Sequence, residues 1–298
     1  MEIVTLIENT SRDSSLIAEH GLSLHIESQG HSLLFDMGPS EAFLSNAVRL
    51  GVDVGGVDAA VVSHAHYDHG GGLAPFLAAN HKAPVYLKVG ADADYYGNIG
   101  AKLPPQLLGV IHPLVRDSLR FSRYIGLDKM VLQRHAERFK FVADYTLVYD
   151  DISLITALHG ELPRPEGNKF LLEKTGDKLT PDSFAHELML AIQEPDGLVL
   201  FTGCGHNGVL NMLASARRRF TDQPIKAVVG GFHLALQPGR PGIAGKPADI
   251  ESVAGALLHA GVDAVYTGHC TGEEAYGILK GVMGDKLGRL HTGARITI

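Results

Sequence analysis

The sequence predicts a layered α/β fold, and three observations carry that prediction. Strand-length apolar runs alternate with helical periodicity through the C-terminal third, the order that builds sheets covered by helices. Short β runs broken by glycine and polar residues fill the N-terminal stretch. Hydrophobic residues make up 45% and charged residues 20%, the balance of a chain that packs a core and is not disordered. At 298 residues one large domain or two smaller ones are allowed, and the pattern favours a single domain over residues 1–298.

Residues 3–8 (IVTLIE), 22–28 (LSLHIES) and 31–38 (HSLLFDMG) read as a β meander. Residues 41–50 have helical apolar spacing, and Gly51 ends them. Residues 57–64 (VDAAVVSH) return to β character, run into a histidine-rich loop, and give way to a helix at 73–81 and a strand at 85–89. From about 90 to 140 the character changes. Tyr95, Tyr96, Pro104, Pro105, His112 and Pro113 interrupt the periodicity before residues 116–139 resume it helically, so this stretch is expected to be an inserted helical cap. Two hairpin-like runs, 141–150 and 152–160, lead to strands at 188–193 and 197–203. Three strand-plus-helix units finish the chain, with helices at 209–220, 248–261 and 273–283.

A net charge of -7, from 26 basic against 33 acidic residues, argues against a nucleic-acid partner. No apolar run is long enough to span a bilayer and the start lacks a signal-peptide pattern, so the expectation is a cytoplasmic protein with no membrane partner, acting on a small molecule. Two cysteines, Cys204 and Cys270, make no disulfide framework.

Sixteen histidines are the unusual count. Four apolar β runs end in small residues and histidine: VDAAVVSHAHYDHGGG, GLVLFTGCGHNG, IKAVVGGFHL and VDAVYTGHCTG. Ligands gather at the carboxyl ends of strands in open α/β sheets, so these ends can converge on one cleft. Within the first, His64 and His66 are two apart on an extended segment and point the same way, which suits ligation of one ion at about 2.0 to 2.1 Å. Asp68 and His69 follow as the chain turns into a helix and offer a carboxylate and an imidazole to a second ion.

At these residues the sequence resembles the metallo-β-lactamase superfamily, whose hallmark is an HxHxDH loop after a strand in a four-layer αββα sandwich. The resemblance extends to Asp36 in LLFDMG and to His269 in VYTGHCTG, and Cys204 stands where the superfamily's LLFTGD strand has an aspartate between the metals. The segments GCGHNG, GGFHL and TGHCTG resemble a narrower group of metal-dependent hydrolases and dihydropterin ribofuranosylaminobenzene phosphate synthases.

The resemblance implies one or two metal ions. Zinc is the first expectation because a thiolate at Cys204 favours borderline metals, with iron or manganese as alternatives. His64, His66 and a third imidazole would hold one ion, the third being His206 in preference to His159. Asp68, His69, Cys204 and His269 would hold the other. Asp36 is expected to orient a ligand imidazole, and His233 to transfer a proton or bind substrate alongside Asp68. Arg164 is the expected holder of a phosphate on a phosphorylated substrate. The activity expected is hydrolysis of an ester or phosphoester by a metal-activated water. The alternatives are a synthase-like condensation releasing pyrophosphate and a metal-containing sensor without turnover.

Overall fold

A computed structural model describes residues 1–98, 122–158, 160–236 and 242–298. Its first half runs β1 (Glu2–Ile7), β2 (Ser23–Ser28), β3 (His31–Phe35), α1 (Ala42–Leu50), β4 (Ala59–Val61), α2 (Tyr67–Gly70), α3 (Leu73–Ala79) and β5 (Val85–Lys88). The insertion follows with β6 (Tyr95–Asn98), β7 (Ser122–Tyr124) and α4 (Lys129–Arg134), then β8 (Phe139–Val142). Next come β9 (Thr146–Tyr149), β10 (Ile152–Ile155), β11 (Leu171–Thr175), β12 (Lys178–Pro181), β13 (Met189–Glu194) and β14 (Gly197–Thr202). The chain closes with α5 (Val209–Arg219), β15 (Ile225–Gly230), α6 (Pro247–His259), β16 (Ala264–Thr267), α7 (Glu273–Met283), β17 (Leu287–Arg289) and β18 (Arg295–Thr297).

Two seven-stranded sheets form the body, in the orders β18-β1-β2-β3-β4-β5-β8 and β17-β16-β15-β14-β13-β10-β9. The strands are apolar on both faces because both faces are covered. Leu33 and Phe35 enter the core between the sheets while Leu34 faces the helix side, and Val199 and Phe201 alternate in the same way with Leu198 and Leu200. Phe35 and Phe201 meet across the sandwich with ring centroids 6.0 Å apart. Helices α1 and α3 cover one outer face; α5, α6 and α7 cover the other. The result is four layers, αββα, as the family resemblance implies. Gly51 ends α1 in the left-handed region (φ 74°), donating to Ala47 and Val48 carbonyls, a conformation that costs glycine little. Among the described residues no helix is long and apolar enough to cross a membrane.

In each sheet an antiparallel meander passes into a parallel half: β3-β4-β5-β8 in one and β14-β15-β16-β17 in the other. Parallel strands put their carboxyl ends on one edge. The loops after β3, β4, β14, β15 and β16 carry Asp36, the His64–His69 segment, Cys204 with His206, His233, and His269.

The insertion corrects the expectation of a helical cap as far as it is described. Residues 99–121 lie outside the described residues. Their flanks are strands, β6 and β7, which pair with each other and extend β11 and β12 into a four-stranded antiparallel sheet. Among its described residues the helical parts are α4, capped by Asp128, whose carboxylate accepts from Met130 and Val131 N–H, and a single 3-10 turn at Ala136–Arg138. Tyr96 and Tyr124 stack edge to face across the β6–β7 pair at 5.6 Å, and such cross-strand packing outweighs local helical spacing.

Candidate metal centre

Short-range spacing places the first group of side chains. After β4 the chain is not extended through His64 and His66 as the sequence predicts but turns at His64–Ala65, where His66 N–H donates to the His64 carbonyl (3.0 Å); Tyr67 then opens α2, so His64 and His66 project from the loop while Asp68 and His69 sit on the first turn. All four are buried. The loops of the second sheet bring Cys204, His206 and His269 against them from the other side of the sandwich edge.

The tautomer of each imidazole follows from its second nitrogen. Ser63 donates its hydroxyl proton to Asp36 Oδ2 (2.8 Å), so His64 Nδ1, 2.9 Å from Ser63 Oγ, must be the donor in that contact. His69 Nδ1 donates to Asp36 Oδ2 at 2.6 Å. His206 Nδ1 donates to Asn168 Oδ1 (2.9 Å), and the same amide's nitrogen donates to the His206 carbonyl (2.8 Å). His269 is gripped identically by Asn9, at 2.9 Å on Nδ1 and 3.2 Å on its carbonyl. In each case Nε2 is left to face inward, as carboxylates and amides do for metal-bound histidines.

Nε2 of His64 and His206, and Nε2 of His66 beside them, are buried without a hydrogen-bond partner. Their rings lie together, with centroids 4.6 Å (His64–His66), 4.8 Å (His64–His206) and 5.1 Å (His66–His206) apart. Beside them Asp68, His69, Cys204 and His269 hold their ligand atoms within 4.8 Å of one another, and His64, Cys204 and His206 form a second such set. His69 Nε2 is 3.2 Å from both Cys204 Sγ and His269 Nε2. Orphaned imidazole nitrogens in a dry pocket are costly, and a cation relieves that cost. The donor set of imidazoles, one carboxylate and one thiol therefore fits a zinc-like ion.

The electrostatics agree. Burial pushes the His64, His206 and His269 imidazoles below the ordinary histidine value, and the crowding of like imidazoles lowers the first two further, so they are neutral and able to ligate. Burial alone would raise the Asp68 carboxyl, but His69, His20 and His269 around it outweigh that and hold it well below the usual range.

Of the other residues the sequence singled out, His233 lines the mouth, half-buried, with Nδ1 unpartnered. Arg164 is not at the centre: exposed, it donates to the Ser183 carbonyl at 2.8 Å. His159 lies outside the described residues. Arg217, Arg218 and Arg219 close α5, where cations complement the helix dipole.

Several contributors escaped the sequence reading. Asp182 lies 3.7 Å from His66 Nε2 and 3.2 Å from His186 Nε2, while His186 Nδ1 accepts from Ala65 N–H at 2.9 Å. Buried Glu8 and Glu187 accept from the backbone N–H of His269 (2.6 Å) and His206 (2.7 Å), completing the two matching grips. His20 sits 3.3 Å from Asp68 Oδ2. The one signal available was that the first strand ends in Glu8-Asn9, polar residues where the other strand ends carry histidine. Asp36 (φ 60°), His233 (φ 51°) and His269 (φ 50°) share left-handed backbone, a strain of about 1–3 kcal/mol each that gathers at functional sites.

Close approach of the two sheets depends on Gly203. A Cβ there would stand 1.9 Å from Ser63 Oγ and 3.0 Å from His64 Nδ1. Gly203→Ala is expected to displace the Ser63 hydroxyl that orients His64, costing about 1–3 kcal/mol of stability and weakening metal uptake; thermal unfolding and chelator competition measure the two.

These elements form an αββα sandwich with candidate metal-ligand groups gathered at one edge. The family model of the metallo-beta-lactamase superfamily matches residues 18–269, and the chain belongs to that superfamily. It is 26% identical to the 7,8-dihydropterin-6-methyl-4-(beta-D-ribofuranosyl)-aminobenzene-5'-phosphate synthase of Methanocaldococcus jannaschii, over 98% of this chain and 95% of that one. The solved structure of Tm1679, a metal-dependent hydrolase of the beta-lactamase superfamily, superimposes with a TM-score of 0.77 at 29% identity, covering 100% of this chain and 99% of the other. Zn(2+)-bound PqqB from Methylobacterium extorquens shares the fold at 10% identity, with a TM-score of 0.57 over 100% of both chains.

Proposed function

We propose that the protein is a zinc-dependent hydrolase of a small ester or phosphoester. The observation that carries this reading is the trio of buried, unpartnered Nε2 atoms of His64, His66 and His206 beside the Asp68–His69–Cys204–His269 cluster. The trio would hold one ion and the cluster another. Bound there, zinc supplies a water acidified to a pKa of about 7 and charge neutralisation on the leaving oxygen.

The chain's own side chains do the rest. Asp36, Asn9 and Asn168 fix the imidazoles through their second nitrogens, so little reorganisation is needed on binding. Asp68, kept ionised by its neighbours, would accept a hydrogen bond from the attacking water and orient it. His233, half-buried at the mouth, gives a proton to the leaving group.

His66→Ala should lower kcat/KM on a responsive phosphoester or lactone by more than about 100-fold and leave the protein with less bound zinc, read by elemental analysis. A protein purified with no transition metal, and taking none up on reconstitution, contradicts the reading. A second reading has support from the full-length similarity to the Methanocaldococcus synthase: condensation with release of pyrophosphate. Pyrophosphate appearing only when an aromatic acceptor is supplied would favour it. Tight ligand binding with no product in either assay would favour a sensor.

A further inference from the structure

Directly over the centre lies a cavity of about 160 Å³ with His66, Cys204 and His206 in its floor. Its walls come from the four-stranded sheet and the loops beside it: Asn98, Arg123, Ile125, Phe170, Leu171 and Leu236. Beyond the imidazoles already described, two polar groups of these walls are free for a ligand among the described residues. Asn98 Oδ1 is buried with no donor. Arg123 is exposed, and its guanidinium makes one contact among the described residues, lying 5.0 Å above the centre of the Tyr67 ring, with no carboxylate paired to it. Tyr67 immediately precedes Asp68, so the cation stands within a side chain's reach of the centre.

The other arginines near the edge are already engaged. Arg164 is tied to the Ser183 carbonyl, and Arg289, in the adjoining cavity of about 410 Å³, pairs with Glu273 and stacks over Tyr276. Among the described arginines near the edge, Arg123 is therefore the one available to a ligand. Ile125, Phe170, Leu171 and Leu236 make one side of the wall apolar, while His20, Tyr67, Asp68 and His233 line the side toward the centre; a cavity of about 150 Å³ is known to accommodate a benzene ring.

We propose that this cavity recognises a small ring-bearing anion, a carboxylate or a phosphate, with Arg123 holding the anionic group. The ring lies against Ile125 and Phe170, and a hydroxyl or amino group on it donates to Asn98 Oδ1. The assignment moves the anion-binding role from Arg164 to a residue on the inserted strands. It rests on the proposed hydrolase only in placing the reacting bond over the same centre; recognition itself needs no turnover.

Calorimetric titration of the zinc-loaded protein tests it, using phenyl phosphate, benzoate and benzyl alcohol. Arg123→Gln should weaken both anions about tenfold or more, as loss of a charge-assisted hydrogen bond does, and leave benzyl alcohol unchanged. Arg123→Lys should recover part of the loss. Wild-type protein should prefer 4-hydroxybenzoate to 4-methoxybenzoate, and Asn98→Ala should erase that preference. Equal binding of phenyl phosphate by wild type and Arg123→Gln overturns the anion role, since the centre alone would then hold it; a hydroxyl preference that survives Asn98→Ala overturns the other. Arg123-dependent binding in a protein that turns nothing over would sink the hydrolase and keep this subsite; turnover with Arg123-independent binding would do the reverse.

Discussion

Asp36→Ala is expected to be among the most damaging single substitutions in the molecule. The side chain is fully buried and accepts three hydrogen bonds, from His69 Nδ1 (2.6 Å), Ser63 N–H (2.7 Å) and Ser63 Oγ (2.8 Å). Through Ser63 it also sets the orientation of His64. Removing it strands two N–H donors and a hydroxyl away from water, and breaking a buried charged contact of this kind costs about 3–5 kcal/mol. Zinc affinity should fall by about 10- to 100-fold at the same time, because two ligand imidazoles lose their anchor. Asp36→Asn keeps a residue that tolerates the left-handed backbone, so it should unfold later than the alanine variant while still binding zinc more weakly. Thermal melts of the metal-free proteins and competition with a chelator separate the two effects. An alanine variant with wild-type melting and wild-type affinity would refute the role given to this carboxylate.

Zinc uptake should be steeply pH-dependent, and the sign follows from His69 and Cys204. Burial by itself lowers the His69 imidazole, but the Asp36 and Asp68 carboxylates outweigh it and raise its pKa to about 9 in the metal-free protein. A folded value above the unfolded one means the protonated form favours the folded state. That stabilisation, on the order of 3 kcal/mol, is complete below about pH 6.5 and is lost as the pH rises through about 9. An incoming ion must expel this proton from Nε2. It must also expel the thiol proton of Cys204, whose pKa burial and then Cys270 push well above the ordinary value. Affinity should therefore rise between about tenfold and a hundredfold per pH unit from 6.5 to 8.5, while the metal-free protein becomes less stable. Chelator competition at several pH values and melts of the stripped protein measure the opposed slopes. A flat affinity profile would show that neither group surrenders a proton to the metal.

What could be read from the sequence divides along chain separation. His64, His66, Asp68 and His69 are legible because they sit in one short segment at a strand end, although a turn at His64–Ala65, and not the period of a strand, sets the first two. Cys204, His206 and His269 are legible through the repeated strand-end pattern, which parallel strands convert into a shared edge. The supports are a different matter. Asn9 reaches His269 across 260 positions, and Asn168 and Glu187 reach His206 across 38 and 19. Nothing local marks an asparagine as the partner of a particular imidazole; only the packed sheets bring them into register. Arg164 shows the same limit in reverse, since a place near a strand end does not settle which way an arginine turns. The insertion was misread because residues 122–124 carry helical spacing in sequence but find strand partners in space.

The matched grips on His206 and His269 bear on how the protein would behave in a metal-poor environment. The His269 grip joins the loop after β1 to the loop after β16 and so forms only when both sheets are assembled, whereas the His206 grip is made within the second half of the chain; in both, an amide and a buried acid orient the imidazole. On the zinc-dependent function proposed above, starvation for the ion would then idle the protein without dismantling it, and recovery would be governed by its supply, with no need for fresh synthesis.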